Sequence, residues 1–322
     1  MPYRRPAWLA AAALCAACAR PAAGTPPARA SAGAASAPSS AVALSPTSSA
    51  VSAPPSAAPA PPPPPPGVSV AAGWSVQLLG PGLGGPDDLL AGPGGGLYFS
   101  DIVAGDVGLL RPGAGAPDVV ARGLSVPEGL AALPDGTLLV VEQGRNRIVR
   151  VQPQGGTVTP WLVLSNPTRL EGADGITLGA DGLLIPDSPV GRVLLQAVAG
   201  DVPSGSPQVV AQGLTRPTSA LRAPDGTVYV ADETGGALVA LAPGAAPRRV
   251  AALPEPDDVA AGPGTRLLVG CLDGTVREVD PATGAVAIVA SGLGSPQGLA
   301  AFGSAWAVSD ETGNRLYRLD AG

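Results

Sequence analysis

Six positions of this 322-residue chain share one register: Asp87, Glu128, Asp174, Thr218, Asp257 and Gln297. Each follows a proline or its stand-in, namely Pro86, Pro127, Ala173, Pro217, Pro256 and Pro296. Four of the six are carboxylates, and carboxylates gathered within a few ångströms repel by several kcal/mol at an effective dielectric near ~20. A bound divalent cation or a raised pKa relieves that repulsion. Oxygen donors without imidazole or thiolate favour Ca²⁺, with Mg²⁺ or Mn²⁺ as alternatives. The chemistry these residues offer is therefore cation binding by Asp87, Glu128, Asp174 and Asp257. The bland alternative is a ring of hydrated acids that binds nothing specific.

Composition removes most competing chemistries. The chain contains no histidine and no lysine. That excludes a Ser-His-Asp triad, a histidine metal site, a Schiff-base lysine and a phosphate loop with its lysine. The formal net charge is -6 and the arginines are scattered, so no nucleic-acid footprint is present. Of the three cysteines two lie near the N-terminus, which leaves Cys271 as a small core residue with no disulfide partner.

The six positions acquire a common direction only through the elements that carry them. The opening prolines are spaced roughly 40–45 residues apart, the period of one four-stranded propeller blade. Each unit has a Pro-x-Gly-like opening, a short apolar strand and a tight turn such as Pro134-Asp135-Gly136 or Pro224-Asp225-Gly226. A second apolar strand ending in an acid follows, then two more strands. Asp-Gly and Gly-Gly supply the positive φ of a tight reversal. Runs such as Leu138-Leu139-Val140-Val141 and Leu267-Leu268-Val269 are too short for helices and suit strands buried on both faces. The fold expected is all-β, a six-bladed β-propeller over 68–322. The last unit has only three strands, so Trp74–Leu79 is expected to supply its outer strand and close the ring, removing open sheet edges.

In such a ring the six positions open the innermost strands and converge on the axis at one mouth. A second acidic set, Asp101, Glu142, Asp187, Asp232 and Asp310, ends the second strand of its blades. These acids are expected to cap their hairpins, with the arginines of the following Asn-Arg turns pairing to a neighbouring blade.

The first 67 residues belong to a different physical class. Residues 1–18 read as a signal peptide, with Arg4-Arg5 before an apolar stretch too short for the ~20 residues that span a bilayer. Leu14-Cys15-Ala16-Ala17-Cys18 resembles a lipobox, with Cys18 as the lipidated residue; ordinary cleavage near Cys18 would instead give a secreted protein. Residues 19–67 are almost entirely Ala, Pro and Ser, a composition that favours a disordered tether. A cell-envelope lipoprotein on the periplasmic or extracellular face is the expectation, with a monomeric domain touching the membrane only through its lipid.

The units Pro127–Val151 and Pro296–Leu319 resemble NHL repeats, with Pro-x-Gly-Leu-Ala, Pro-Asp-Gly and Asn-Arg landmarks. The fifth unit, with Pro256-Asp257-Asp258-Val259 and Leu272-Asp273-Gly274, resembles the gluconolactonase and regucalcin family. That second resemblance implies an axial Ca²⁺ or similar ion, held at Asp87, Asp174, Thr218 and Asp257. Only Asp257 matches the family's residue type; Asp87 stands for Glu, and Asp174 and Thr218 for Asn. It further implies metal-assisted lactone hydrolysis, in which the ion polarises the ring carbonyl and lowers the pKa of a bound water and Asp257 handles the water's proton; Glu128 is the other candidate acceptor. The NHL resemblance implies instead a non-catalytic propeller that binds a ligand or protein.

Overall fold

The computed structural model of the chain describes residues 63–163 and 172–322. The signal peptide, Cys18 and the tether as far as residue 62 lie outside the described residues. The described residues form a six-bladed β-propeller whose strands pair antiparallel, with helical turns confined to Pro93–Gly95, Gln143–Arg145 and Ser188–Val190. No helix among them is long and apolar enough to cross a membrane.

Blade 2 shows how the sequence dictates the unit. Its strands, from the axis outward, are Pro127–Ala132, Leu138–Glu142, Arg147–Val151 and Val158–Val163. Asp135 makes the first turn by accepting from the Thr137 backbone N–H at 3.0 Å and its hydroxyl at 2.6 Å, while Gly136 takes φ +82°. Leu138–Glu142 is buried throughout because blades lie against both of its faces. The same sandwiching recurs around the ring. Leu139 and Val141 pack against Leu183 and Ile185 of blade 3, and Leu97 and Phe99 of blade 1 pack against Ala307 and Leu316 of blade 6.

Blade 6 consists of Pro296–Phe302, Ala305–Asp310 and Arg315–Ala321, and its outer strand is Trp74–Pro81 from the start of the domain. Two features differ from the uniform four-stranded expectation. Ser69–Val70 pairs with Ser291 and Ala290 and gives blade 5 a fifth strand; Val68 packs beside it on Val289 and Ala290, so the outer edge of that blade is covered. In blade 3 an alanine replaces the opening proline. There the innermost strand shrinks to Thr177–Gly179 plus one bridge, Ala173 to Asp187, and a small hairpin of Val198–Ala199 and Val202–Pro203 precedes the outer strand.

One local irregularity aims the site. After each opening proline the innermost strand carries one extra residue relative to its partner, as between Pro86 and Leu89, Pro127 and Leu130, Pro217 and Ser219, Pro256 and Val259, and Pro296 and Leu299. A bulge breaks the strict in–out alternation of a strand and re-aims the side chain at the break.

Candidate functional site: the axial carboxylates

Asp87, Glu128, Asp174 and Asp257 are all buried, at 6%, 6%, 6% and 8% exposure. The innermost strands approach closely enough to bring them together because glycines follow them in some blades. A β-carbon on Gly129 would lie 2.5 Å from the Ile176 nitrogen, and one on Gly175 would lie 2.9 Å from the Thr218 carbonyl. Neighbouring strands are also tied to one another around the axis. The Gly129 N–H donates to the Asp174 carbonyl at 3.3 Å, the Gly175 N–H to the Thr218 carbonyl at 2.8 Å, and the Thr218 hydroxyl to the Asp257 carbonyl at 2.6 Å.

The electrostatics follow from that crowding. Asp87 is pushed well above the ordinary carboxylate range, first by burial and then by the charges of Glu128, Asp88, Asp174 and Glu311. Asp257 is likewise raised by burial and by Asp174 and Asp87, with Arg216 acting in the opposite direction. The four expected acids thus share one electrostatic neighbourhood. Thr218 and Gln297 serve otherwise: the Thr218 hydroxyl bonds backbone carbonyls, and the Gln297 amide donates to Glu311 at 2.8 Å.

Several residues of the site are not among those six positions. Asp88 and Asp258 form a second layer one residue further along their strands. Both are raised by burial, Asp88 further by Asp258 and Asp174, and Asp258 further by Asp174. Asp258 also accepts from the Val259 N–H at 2.7 Å, from the Leu299 N–H at 2.6 Å and from the Ser219 hydroxyl, so it locks blade 5 to blades 4 and 6. An axial channel of about 440 Å³ begins at this layer, where Asp88, Ser219 and Asp258 meet apolar walls that include Leu130, Ile176 and Leu299. The doubled acids of Pro86-Asp87-Asp88 and Pro256-Asp257-Asp258 are the sequence signal for this layer.

Arg216 is the other addition. Its guanidinium lies 3.0 Å from the Asp174 carboxylate, and its other terminal nitrogen contacts Glu233, itself buried. The repeat places this pair. In blades 1, 2, 5 and 6 the residue before the opening proline accepts from the N–H of the residue that follows the second strand: Gly85 from Ile102, Val126 from Gln143, Glu255 from Leu272 and Ser295 from Glu311. In blade 4 these two positions are Arg216 and Glu233, joined by the same bond at 2.9 Å.

The expectation of a shared Ca²⁺ meets a different arrangement. Among the described residues no group of three or more acids is placed to hold one metal ion. Asp174 faces a guanidinium, and the Thr218 oxygen is committed to the backbone. The donor chemistry is hard oxygen, but as disposed it does not fit a resident divalent cation, and positive charge at this mouth comes from Arg216.

The second acidic set binds backbone. Asp101 accepts from the N–H groups of Gly84, Gly85, Val103 and Ala104, and Asp310 from those of Gly294, Ser295 and Gly313. The arginines pair within their own hairpins and not with a neighbouring blade: Arg147 with Glu142 and Arg192 with Asp187. The reason is register, since each arginine sits directly opposite its acid on the paired strand. Cys271 is fully buried with its thiol pushed up to about 12, chiefly by burial, as befits an inert core residue.

No protein-family model matches the chain, and no curated protein matches it in sequence. Solved structures match its fold. A gluconolactonase from Xanthomonas campestris is 18% identical with a TM-score of 0.68, over 79% of this chain and 91% of that one. The structure of a protein described as a putative gluconolactonase is 15% identical with a TM-score of 0.64, over 79% and 94%. A virginiamycin B lyase from Staphylococcus aureus, solved with quinupristin as a catalytically inactive variant in which alanine replaces a histidine, is 15% identical with a TM-score of 0.54, over 73% and 80%. At these identities the likeness establishes the propeller fold.

Proposed function

We propose that this propeller hydrolyses small lactones at its axial mouth and works as an exported domain tethered through a lipid on Cys18. The observation that supports the reaction is the group of four buried carboxylates around one axis, of which Asp87 and Asp257 hold their protons unusually tightly. Likeness in fold to gluconolactonases agrees with it.

Opening a cyclic ester requires a base for the attacking water, positive charge for the developing oxyanion and an acid for the departing alkoxide. Glu128 takes a proton from water as its oxygen adds to the acyl carbon. Arg216 faces the oxyanion, and Asp257, protonated, gives its proton to the ring oxygen as the ring C–O bond breaks. Return of the proton from Glu128 to Asp257 restores the starting state, and the product is the open hydroxy acid. No step requires histidine or lysine. Paired carboxylates of unequal proton affinity are a recognised way to supply acid and base at one site.

The test is acid release by the purified domain 63–322, followed at constant pH over a panel of sugar and alkyl lactones. Saturable turnover above the buffer rate is the expected result. Failure of every lactone to open, together with saturable calorimetric binding of one of them, would establish the second reading, a non-catalytic binding propeller. That reading draws on the fixed ion pairs of Arg216, which would hold the mouth rigid for recognition. For the tether, Cys18→Ser is expected to move the protein from the membrane fraction to the soluble fraction, with loss of metabolic labelling by fatty acid.

A further inference from the structure

We infer that Arg216 is a built-in replacement for a metal ion at this mouth, so that the native domain has no divalent-cation site and would gain one if the guanidinium were removed. The inference deepens the reading above and rests on the same mouth. Its test uses no lactone, so the two can fail separately.

The argument begins with charge. Asp87, Glu128, Asp174 and Asp257 are nearly removed from solvent around one axis, and Asp88 and Asp258, half-buried, follow one residue later along their strands where the channel begins. Such a concentration of acids is held together only by a cation or by protons. A guanidinium is a permanent cation, remaining charged at any working pH. Arg216 reaches Asp174 with one terminal nitrogen and Glu233 with the other, and its charge acts on Asp257 against the surrounding carboxylates. It spans part of the ring as an ion would, but from the side and from one blade.

Position makes the assignment specific. The residues equivalent to Arg216 in the other blades are Gly85, Val126, Gly172, Glu255 and Ser295. None carries positive charge. Arg216 therefore does not belong to the scaffold of the repeat. Its backbone bond to Glu233 is the one every regular blade makes, so the scaffold fixes where the side chain starts and Glu233 helps fix where it ends. Blade 4 is also the blade in which threonine occupies the axial position, with its hydroxyl turned to the Ala231 and Asp257 carbonyls. A short neutral residue there leaves room for the guanidinium and contributes no further negative charge.

Once the charge is removed, the carboxylates must either retain more protons or recruit a cation. Oxygen-only donors, several of them anionic, select a hard divalent ion. Above the pH at which the ring deprotonates, recruitment is the outcome.

The experiment titrates CaCl₂, and separately MnCl₂, into chelator-treated domain at pH 8, by calorimetry and by thermal melts. The native domain is expected to show no saturable heat into the millimolar range and the same melting temperature in Ca²⁺ as in EDTA. Arg216→Met, similar in length and uncharged, is expected to bind one ion at least tenfold more tightly than the native domain and to melt higher in Ca²⁺ than in EDTA. Arg216→Lys, which keeps a cation, is expected to behave as the native domain does. Stoichiometric Ca²⁺ binding by the native domain that Asp257→Asn removes would overturn the inference. So would a folded Arg216→Met domain that ignores both ions. If Arg216→Met does not fold, the native melts decide alone: a rise in Ca²⁺ overturns the inference and identity with EDTA sustains it.

Discussion

Asp257→Asn is expected to lower kcat/KM for lactone opening by about 10³-fold while raising the melting temperature at pH 8. The activity follows from removing the group that gives a proton to the leaving oxygen, since a positioned general acid contributes roughly 10²–10⁴-fold. Asparagine keeps the shape and hydrogen-bonding capacity of the acid but has no proton to transfer. The stability effect has the opposite sign from the usual loss of a buried polar group. Asp257 is raised above its unfolded value, first by burial and then by Asp174 and Asp87. Below about pH 4 it is protonated in both states and carries no penalty. As pH rises from there through the raised native value, the folded state binds more protons than the unfolded state. Stability then falls by about 1.4 kcal/mol per pH unit for each proton retained. Asp87, Asp88 and Asp258 are shifted in the same direction, so the native domain should melt higher at pH 5 than at pH 8 through these groups. Asp257→Asn removes one contributor: the melting temperature rises at pH 8, rises less at pH 5, and the slope between them becomes shallower. Thermal melts at the two pH values beside steady-state kinetics check both halves. Undiminished turnover would dismiss the proton-transfer role, and a lower melting temperature at pH 8 would dismiss the crowding.

The ring was legible in the sequence because each blade must solve the same geometric problem with the same residues. A tight turn with a glycine at positive φ, a short buried run and a bulge after the opening proline are local necessities, so they recur in the blades that open at Pro127, Pro217, Pro256 and Pro296. The axial acids were legible for the same reason, sharing a register with those prolines. Ser69–Val70 was not, because two residues are too few to show the alternation of a strand, and their pairing is fixed by Val68 and Val70 meeting the far end of the chain at Val289 and Ala290. The hairpin insertion of blade 3 breaks the period where the alanine already weakens it. Arg216 was hidden differently. Its position is a backbone position in the other blades, filled by Gly85, Val126 or Ser295, so nothing in the repeat marks it as part of the site. Only the bond between the residue before the proline and the residue that follows the second strand reveals that Arg216 and Glu233 must be neighbours.

Asp310→Ala supplies the opposite signature, a large loss of stability with chemistry intact in the folded fraction. Asp310 is fully buried at the end of Ala305–Asp310, and its carboxylate accepts the N–H groups of Gly294 at 3.0 Å, Ser295 at 2.8 Å and Gly313 at 2.9 Å. These donors belong to the loop that leads into blade 6 and to the turn that leaves the same strand, and the acid is the peg that joins them. The two glycines are demanded by it: a β-carbon on Gly294 would sit 2.6 Å from the Asp310 Oδ1, and one on Gly313 would collide with the same carboxylate. With alanine at 310, three N–H groups lose their acceptor in a place too tight for the backbone to find another. Each unsatisfied buried group costs about 1–3 kcal/mol. A total of about 4 kcal/mol is a large share of the ~5–15 kcal/mol that holds a domain folded. Blade 6 is also where Trp74–Pro81 closes the ring, so the loss falls on the joint that both chain ends share. The urea midpoint should therefore fall steeply at an unchanged m-value, while lactone turnover per folded molecule, measured in the cold without urea, stays at the native level. Asp257 and Asp310 are both buried aspartates of the same repeat, but one is surrounded by carboxylates and the other by N–H donors. Removing the charge is expected to stabilise the domain in the first case and to unfasten a blade in the second; a stable Asp310→Ala domain would mean that the loop finds another acceptor and that the repeat does not depend on its peg.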